Sequence, residues 1–89
     1  MKEEDMRKDL LVVLIGSRVR KALPVQEILT RYGCIVKTRL GIHDAGKNGC
    51  ADTGLIILEL IPQGPRIKKL KKELDALPGV KAQLVTISV

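Results

Sequence analysis

The sequence predicts a ferredoxin-like α+β sandwich, a four-stranded antiparallel sheet with two helices on one face, in the order β-α-β-β-α-β. Three observations carry this. Two unbroken aliphatic runs, Leu10 to Ile15 and Leu55 to Leu58, read as strands covered on both sides, because a strand with one wet face alternates. Two other segments repeat aliphatic residues at helical spacing: Val25, Ile28, Leu29 and Tyr32, then Ile67, Leu70, Leu74 and Leu77. Between them lie chain breakers at Gly16, Gly33, Pro62-Gln63-Gly64-Pro65 and Pro78-Gly79.

Taken in order, the charged opening from Met1 to Lys8 reads as a flexible arm, and residues 9–89 as one domain. Strand one is expected from Asp9 to Gly16. Ser17 to Ala22 reads as a basic connection, followed by a helix to Tyr32 with Pro24 in its first turn, where a missing N–H costs nothing. Gly33 suits a left-handed helix terminator. From Cys34 to Leu40 the residues alternate, with Cys34, Val36, Thr38 and Leu40 on the inner face and Ile35, Lys37 and Arg39 on the other. The charges mark an edge strand. Strand three is expected from Gly54 to Ile61, and strand four from Val80 to Val89.

Right-handed crossovers leave few topologies for this order, and the favoured one makes strands one and three the central pair. Those strands hold the two aliphatic runs. A chain of 89 residues builds one core, so the sheet face away from the helices is left bare. On strand three that face is assigned Leu55, Ile57, Glu59 and Ile61, since a carboxylate costs less outside the core. Glu59 is then within reach of Lys37 across the hairpin. A bare aliphatic face marks an interface, and the expected cover is a second copy, giving a homo-dimer or higher homo-oligomer.

The formal charge of +6 permits a nucleic-acid partner. However, five of the sixteen basic residues (Arg66, Lys68, Lys69, Lys71, Lys72) fall on one short segment that reads as a solvated helix face. With one Tyr and neither Phe nor Trp, the chain also lacks the stacking surfaces of single-strand binders. Nucleic acid is therefore not the expected partner. No stretch reaches the length of a membrane span, and no apolar leader precedes strand one. Two cysteines, Cys34 and Cys50, make no disulfide framework and fit a reducing cytoplasm as free thiols, with Cys34 packed inward.

Between strands two and three, Gly41 to Thr53 reads as a long loop holding the only His (His43), one Cys (Cys50) and two Asp, Asp44 and Asp52. Imidazole and thiolate together suit a transition metal such as Zn, Ni, Cu or Fe. His43 and Cys50 supply two ligands, so a complete site needs loops from two copies. The competing reading is a small-molecule effector in a groove between protomers, with Lys37, Arg39, His43 and Asp44 as contacts. Catalysis is not indicated. His43 has no nucleophile motif beside it, Gly46 and Gly49 precede a strand rather than a helix N-terminus, and Gly16 to Lys21 forms no phosphate fingerprint. A non-enzymatic protein is expected.

The run Val25-Gln26-Glu27-Ile28-Leu29-Thr30-Arg31-Tyr32-Gly33-Cys34-Ile35-Val36-Lys37-Thr38-Arg39-Leu40-Gly41-Ile42-His43 resembles the small bacterial iron-only hydrogenase system regulators. So do Gly54-Leu55-Ile56-Ile57-Leu58-Glu59-Leu60 and Leu77-Pro78-Gly79-Val80, and the similarity in order and spacing runs from Leu10 to the end. It implies an ACT-like ferredoxin fold, homo-oligomeric and regulatory, without its own DNA-binding domain. Pro24 departs from the helix-friendly residue of that family. The wider ACT-like group is similar to the C-terminal domain of the nickel-responsive regulator, which has two His two residues apart and a Cys six residues after the second. Those spacings before Cys50 fall on Ile42 and Asp44, with His43 displaced between them, so that nickel site is not reproduced.

Overall fold

The computed structural model describes residues 6–16, 18–46 and 49–89, with side chains placed for 6–16, 23–41 and 53–89. Its elements are β1 (Lys8–Ile15), α1 (Arg18–Arg31), β2 (Val36–Gly46), β3 (Gly49–Leu60), α2 (Gly64–Asp75) and β4 (Val80–Ile87), with a 3-10 turn at Gly33–Ile35. The sheet order is β2-β3-β1-β4 and every pairing is antiparallel. This is the ferredoxin-like sandwich expected from the sequence, with β1 and β3 central. Strand β1 already begins at Lys8, and residues 1–5 of the expected arm lie outside the described residues.

One face of the sheet carries the core. Leu11, Val13 and Ile15 of β1 pack with Ile56, Leu58 and Leu60 of β3 and with Val80 and Ala82 of β4. Against them lie Val25, Ile28, Leu29 and Tyr32 of α1, Ile35 of the turn, and Ile67, Leu70 and Leu74 of α2. The two helical stripes thus both face inward, and each fully buried Leu contributes roughly 1.5–3 kcal/mol by leaving water. Asp9 is the buried charged residue of this face. It accepts hydrogen bonds from Arg7 Nη2 at 3.2 Å and Thr86 Oγ1 at 2.9 Å, which tie the start of β1 to β4. Paired in this way, a buried carboxylate is tolerated.

Three expectations need correction. Helix α1 starts at Arg18, so Arg18 to Ala22 of the expected connection is helical and Pro24 lies inside the helix. Proline removes one backbone donor there, and the buried stripe from Val25 to Tyr32 outweighs that loss. Cys34 is exposed in the 3-10 turn, while Ile35 is completely buried. A register shift between Val36 and Thr38 then moves Thr38 and Leu40 to the open face, opposite Glu59 and Ile57. Finally, in the segment expected as a loop, Gly41 to Gly46 and Gly49 to Thr53 are strand. The ladder continues through Ile42↔Leu55, His43↔Gly54, Ala45↔Cys50 and Gly46↔Gly49, making a β-hairpin arm with positions 47–48 between its strands. Polarity does not stop such a ladder, because backbone groups pair whatever the side chains are.

At the other end of the sheet, Gly16 N–H donates to Gly79 C=O at 2.7 Å, joining the end of β1 to the turn before β4. A Cβ on Gly16 would sit 3.2 Å from that carbonyl, and Gly79 has φ +80. Gly79→Ala is expected to lower the free energy of unfolding by about 1–2 kcal/mol in urea titrations, because an L side chain is disfavoured in the left-handed region. Leu58→Ala, which empties the centre of the core, should cost more, about 2–5 kcal/mol.

Candidate functional site

The side of the sheet away from the helices is built from the alternate residues of all four strands. Its rows run Thr38–Glu59–Leu10–Val85, then Leu40–Ile57–Val12–Gln83, then Leu55–Leu14–Lys81. Leu14 and Leu40 are each 54 % exposed, and Leu10, Val12, Leu55, Ile57, Ile61 and Val85 are half-buried. Aliphatic side chains therefore continue unbroken across β2, β3 and β1 and on to β4. Leu55, Ile57 and Glu59 lie where the alternation of strand three put them, outside the core, whereas Ile61, just past the end of β3, packs against the core instead.

Glu59 is the charged centre of this face. Lys8 Nζ donates to Glu59 Oε2 at 3.0 Å, Lys37 Nζ lies 3.5 Å from the same oxygen, and Thr38 Oγ1 donates to Oε1 at 3.5 Å. The hydrogen bond from Lys8 is the main cause holding the Glu59 carboxyl below its ordinary pKa, against the desolvation that raises it, and Lys37 adds to the lowering. The pair with Lys37 expected across the hairpin is thus present.

Lys37 and Arg39 are on the edge strand β2, beside a cleft of about 360 Å³ between that strand and the end of α1. Leu29, Val36 and Leu58 supply its apolar lining, and Thr30, Lys37, Thr38 and Arg39 its polar one. Arg39 Nη2 donates to Gln26 Oε1 at 2.9 Å, which braces the guanidinium against the helix. Among the described residues, no carboxylate lies within ion-pair distance of it. The cleft was not legible in the sequence, because it depends on how α1 lies over β2. His43, Asp44 and Cys50 belong to the hairpin arm, and their side chains lie outside the described residues. The backbone sets His43 opposite Gly54 and Cys50 opposite Ala45.

A further polar cluster clamps the two helices together. The Tyr32 hydroxyl donates to Glu73 Oε2, Arg31 Nη1 pairs with Glu73 Oε1 at 2.7 Å, and the Arg66 guanidinium stands 5.9 Å above the Tyr32 ring. The hydrogen bond to Glu73, with burial second, raises the Tyr32 pKa, and the same bond lowers that of Glu73. Tyr32 thus stays protonated, as a structural donor.

This architecture occurs in other solved proteins. The chain is similar to an uncharacterised protein of Thermotoga maritima, at TM-score 0.78 and 22 % identity over 92 % of this chain and 98 % of that one. It is also similar to the ACT domain of GTP pyrophosphokinase from Chlorobium tepidum, at TM-score 0.60 and 10 % identity over 90 % and 97 %. The fold is ACT-like. Another similar structure is CPII of Thiomonas intermedia K12, a nitrogen regulatory PII-like protein bound to ADP, AMP and bicarbonate, at TM-score 0.52 and 17 % identity over 92 % and 96 %. No protein-family model and no curated protein matches the chain. No helix among the described residues of this ACT-like chain is long and apolar enough to cross a membrane.

The Glu59 cluster predicts a pH dependence. With its folded pKa lowered, the carboxylate stabilises the fold at neutral pH, and that contribution disappears as pH falls through the depressed folded value. The stability difference between the wild type and Glu59→Gln, followed by thermal melts, should therefore shrink on acidification below the ordinary carboxylate range. A difference that is constant across that range contradicts the assignment.

Proposed function

We propose that this protein is a non-enzymatic regulatory module that self-associates through the open face of its sheet and responds to a small-molecule effector. The observation that carries this reading is the aliphatic face formed by Leu10, Val12, Leu14, Leu40, Leu55 and Ile57, which the single core leaves uncovered. Monomeric proteins rarely expose such contiguous apolar surface. A second copy suits it because the one carboxylate of the face among the described residues, Glu59, already has two lysine partners. It therefore brings no unpaired anion into a contact.

The fold shared with an ACT domain of a GTP pyrophosphokinase and with a PII-like nitrogen regulatory protein supports a regulatory role. The resemblance of residues 25–43 to iron-only hydrogenase system regulators supports the same regulatory reading. Effector contacts are assigned to Lys37 and Arg39, with His43 and Asp44 further along the same strand. A cytoplasmic setting accords with the free thiol at Cys34.

Transition-metal sensing is the second reading. It is favoured by the hairpin pairing, which sets His43 and Cys50 on facing strands, on either side of one register shift, rather than at unrelated points of a loop. Protein purified without an affinity tag should carry stoichiometric metal that His43→Ala loses. Equal metal content in both ends this reading.

Self-association is tested by size-exclusion chromatography with light scattering at micromolar concentration. The wild type is expected at a multiple of 9.8 kDa. Leu14→Lys should shift the mass to that of a single chain with unchanged far-UV circular dichroism, because residue 14 contributes exposed surface rather than core. A wild type that is strictly monomeric removes the proposal.

A further inference from the structure

The cleft between β2 and α1 combines an apolar lining with a guanidinium that no acid among the described residues neutralises. Its volume of about 360 Å³ falls within the range of small-molecule sites, roughly 300–1,000 Å³. Val36 is its accessible apolar wall above the buried Leu29 and Leu58, and Arg39 is braced by Gln26 at its edge. A guanidinium fork matches the two oxygens of a carboxylate, and a neighbouring ammonium adds charge without demanding geometry. Lys37 supplies that ammonium and has a second attachment, since its Nζ lies 3.5 Å from Glu59 Oε2 on the open face. Lys8, at 3.0 Å, is the nearer partner of the same oxygen, so Glu59 keeps a counter-ion when Lys37 turns away. Both lysines are half exposed, and ion pairs of that kind exchange partners at little cost.

We propose that this cleft binds a small organic carboxylate with an aliphatic body, and that Lys37 couples its occupancy to the open face by transferring from Glu59 to the bound anion. The coupling rests on the self-association proposed above, whereas the binding does not. Arg39 and Lys37 hold the carboxylate while the aliphatic body lies along half-buried Val36. With Lys37 gone, Glu59 has one cation instead of two, and a contact that buries Glu59 becomes less favourable. Occupancy therefore weakens self-association, and by reciprocity self-association weakens binding.

The probe is 4-methylpentanoate, titrated into the full-length protein and followed by amide chemical shifts. Saturable shifts are expected at Thr30, Gly33, Thr38 and Arg39. Arg39→Gln should weaken binding by about tenfold or more, as should replacing the probe with neutral 4-methylpentanol or with inorganic phosphate, which has charge but no aliphatic body. Absence of shifts, or equal affinity in Arg39→Gln, or equal affinity for phosphate, overturns the binding site. Coupling is read by light scattering. Saturating probe should raise the dissociation constant of the wild-type assembly several-fold and leave that of Glu59→Gln, whose cleft is intact, unchanged. An unaltered wild-type constant overturns the coupling. A monomeric wild type overturns it together with the self-association reading, while the amide shifts still decide the binding site.

Discussion

The antiparallel pairing of β1 with β3 is the constraint on which the rest of the molecule depends. Seven consecutive register pairs, from Asp9↔Leu60 to Ile15↔Gly54, lock two strands that are aliphatic on both faces. A strand pair has only two faces, and two short helices can cover one of them. Leu11, Val13, Ile56, Leu58 and Leu60 lie beneath α1 and α2, leaving Leu10, Val12, Leu14, Leu55 and Ile57 on the far side. A slip of one residue would exchange these two sets and bring Glu59 into the core, so the register is held by the cost of burying that carboxylate.

Polar residues are distributed around this constraint rather than against it. Asp9 is buried yet satisfied by Arg7 and Thr86 at the end of the sheet. Asp75 similarly accepts from Lys71 Nζ at 2.6 Å and from the Ala82 N–H at 2.7 Å, fastening α2 to β4. Glu59 differs from both, because its partners stand on an exposed surface and come from two different strands. Two of those partners, Lys37 and Thr38, also line the cleft at the sheet edge. The long hairpin arm, with β2 of 11 residues and β3 of 12, accounts for much of the 49 Å length of the molecule.

Particular residues show which parts were legible and which were not. The stripes Val25-Ile28-Leu29-Tyr32 and Ile67-Leu70-Leu74 are buried as their spacing required, because a helix has one fixed angular repeat. Helix α1 starts upstream of the point that Pro24 marks as a first turn, because packing of the helix overrides that local preference. Cys34 and Ile35 exchanged roles because a 3-10 turn and a register shift break the simple alternation of a strand. The hairpin arm did leave a signal, Asn48-Gly49, a dipeptide common at tight hairpin connections. It was outweighed by the polar, glycine-rich composition around it.

Periodicity and chain breakers by themselves determined the order of elements, the central pair of strands and the face on which Glu59 emerges. These follow from side-chain spacing, which is set by backbone geometry alone. Tertiary structure decided the rest: the cleft beside Arg39, the placement of both lysines on one Glu59 oxygen, and the Tyr32–Glu73–Arg66 clamp. Each joins residues distant in sequence, and the distances between such residues depend on how the helices settle on the sheet, which no local pattern encodes.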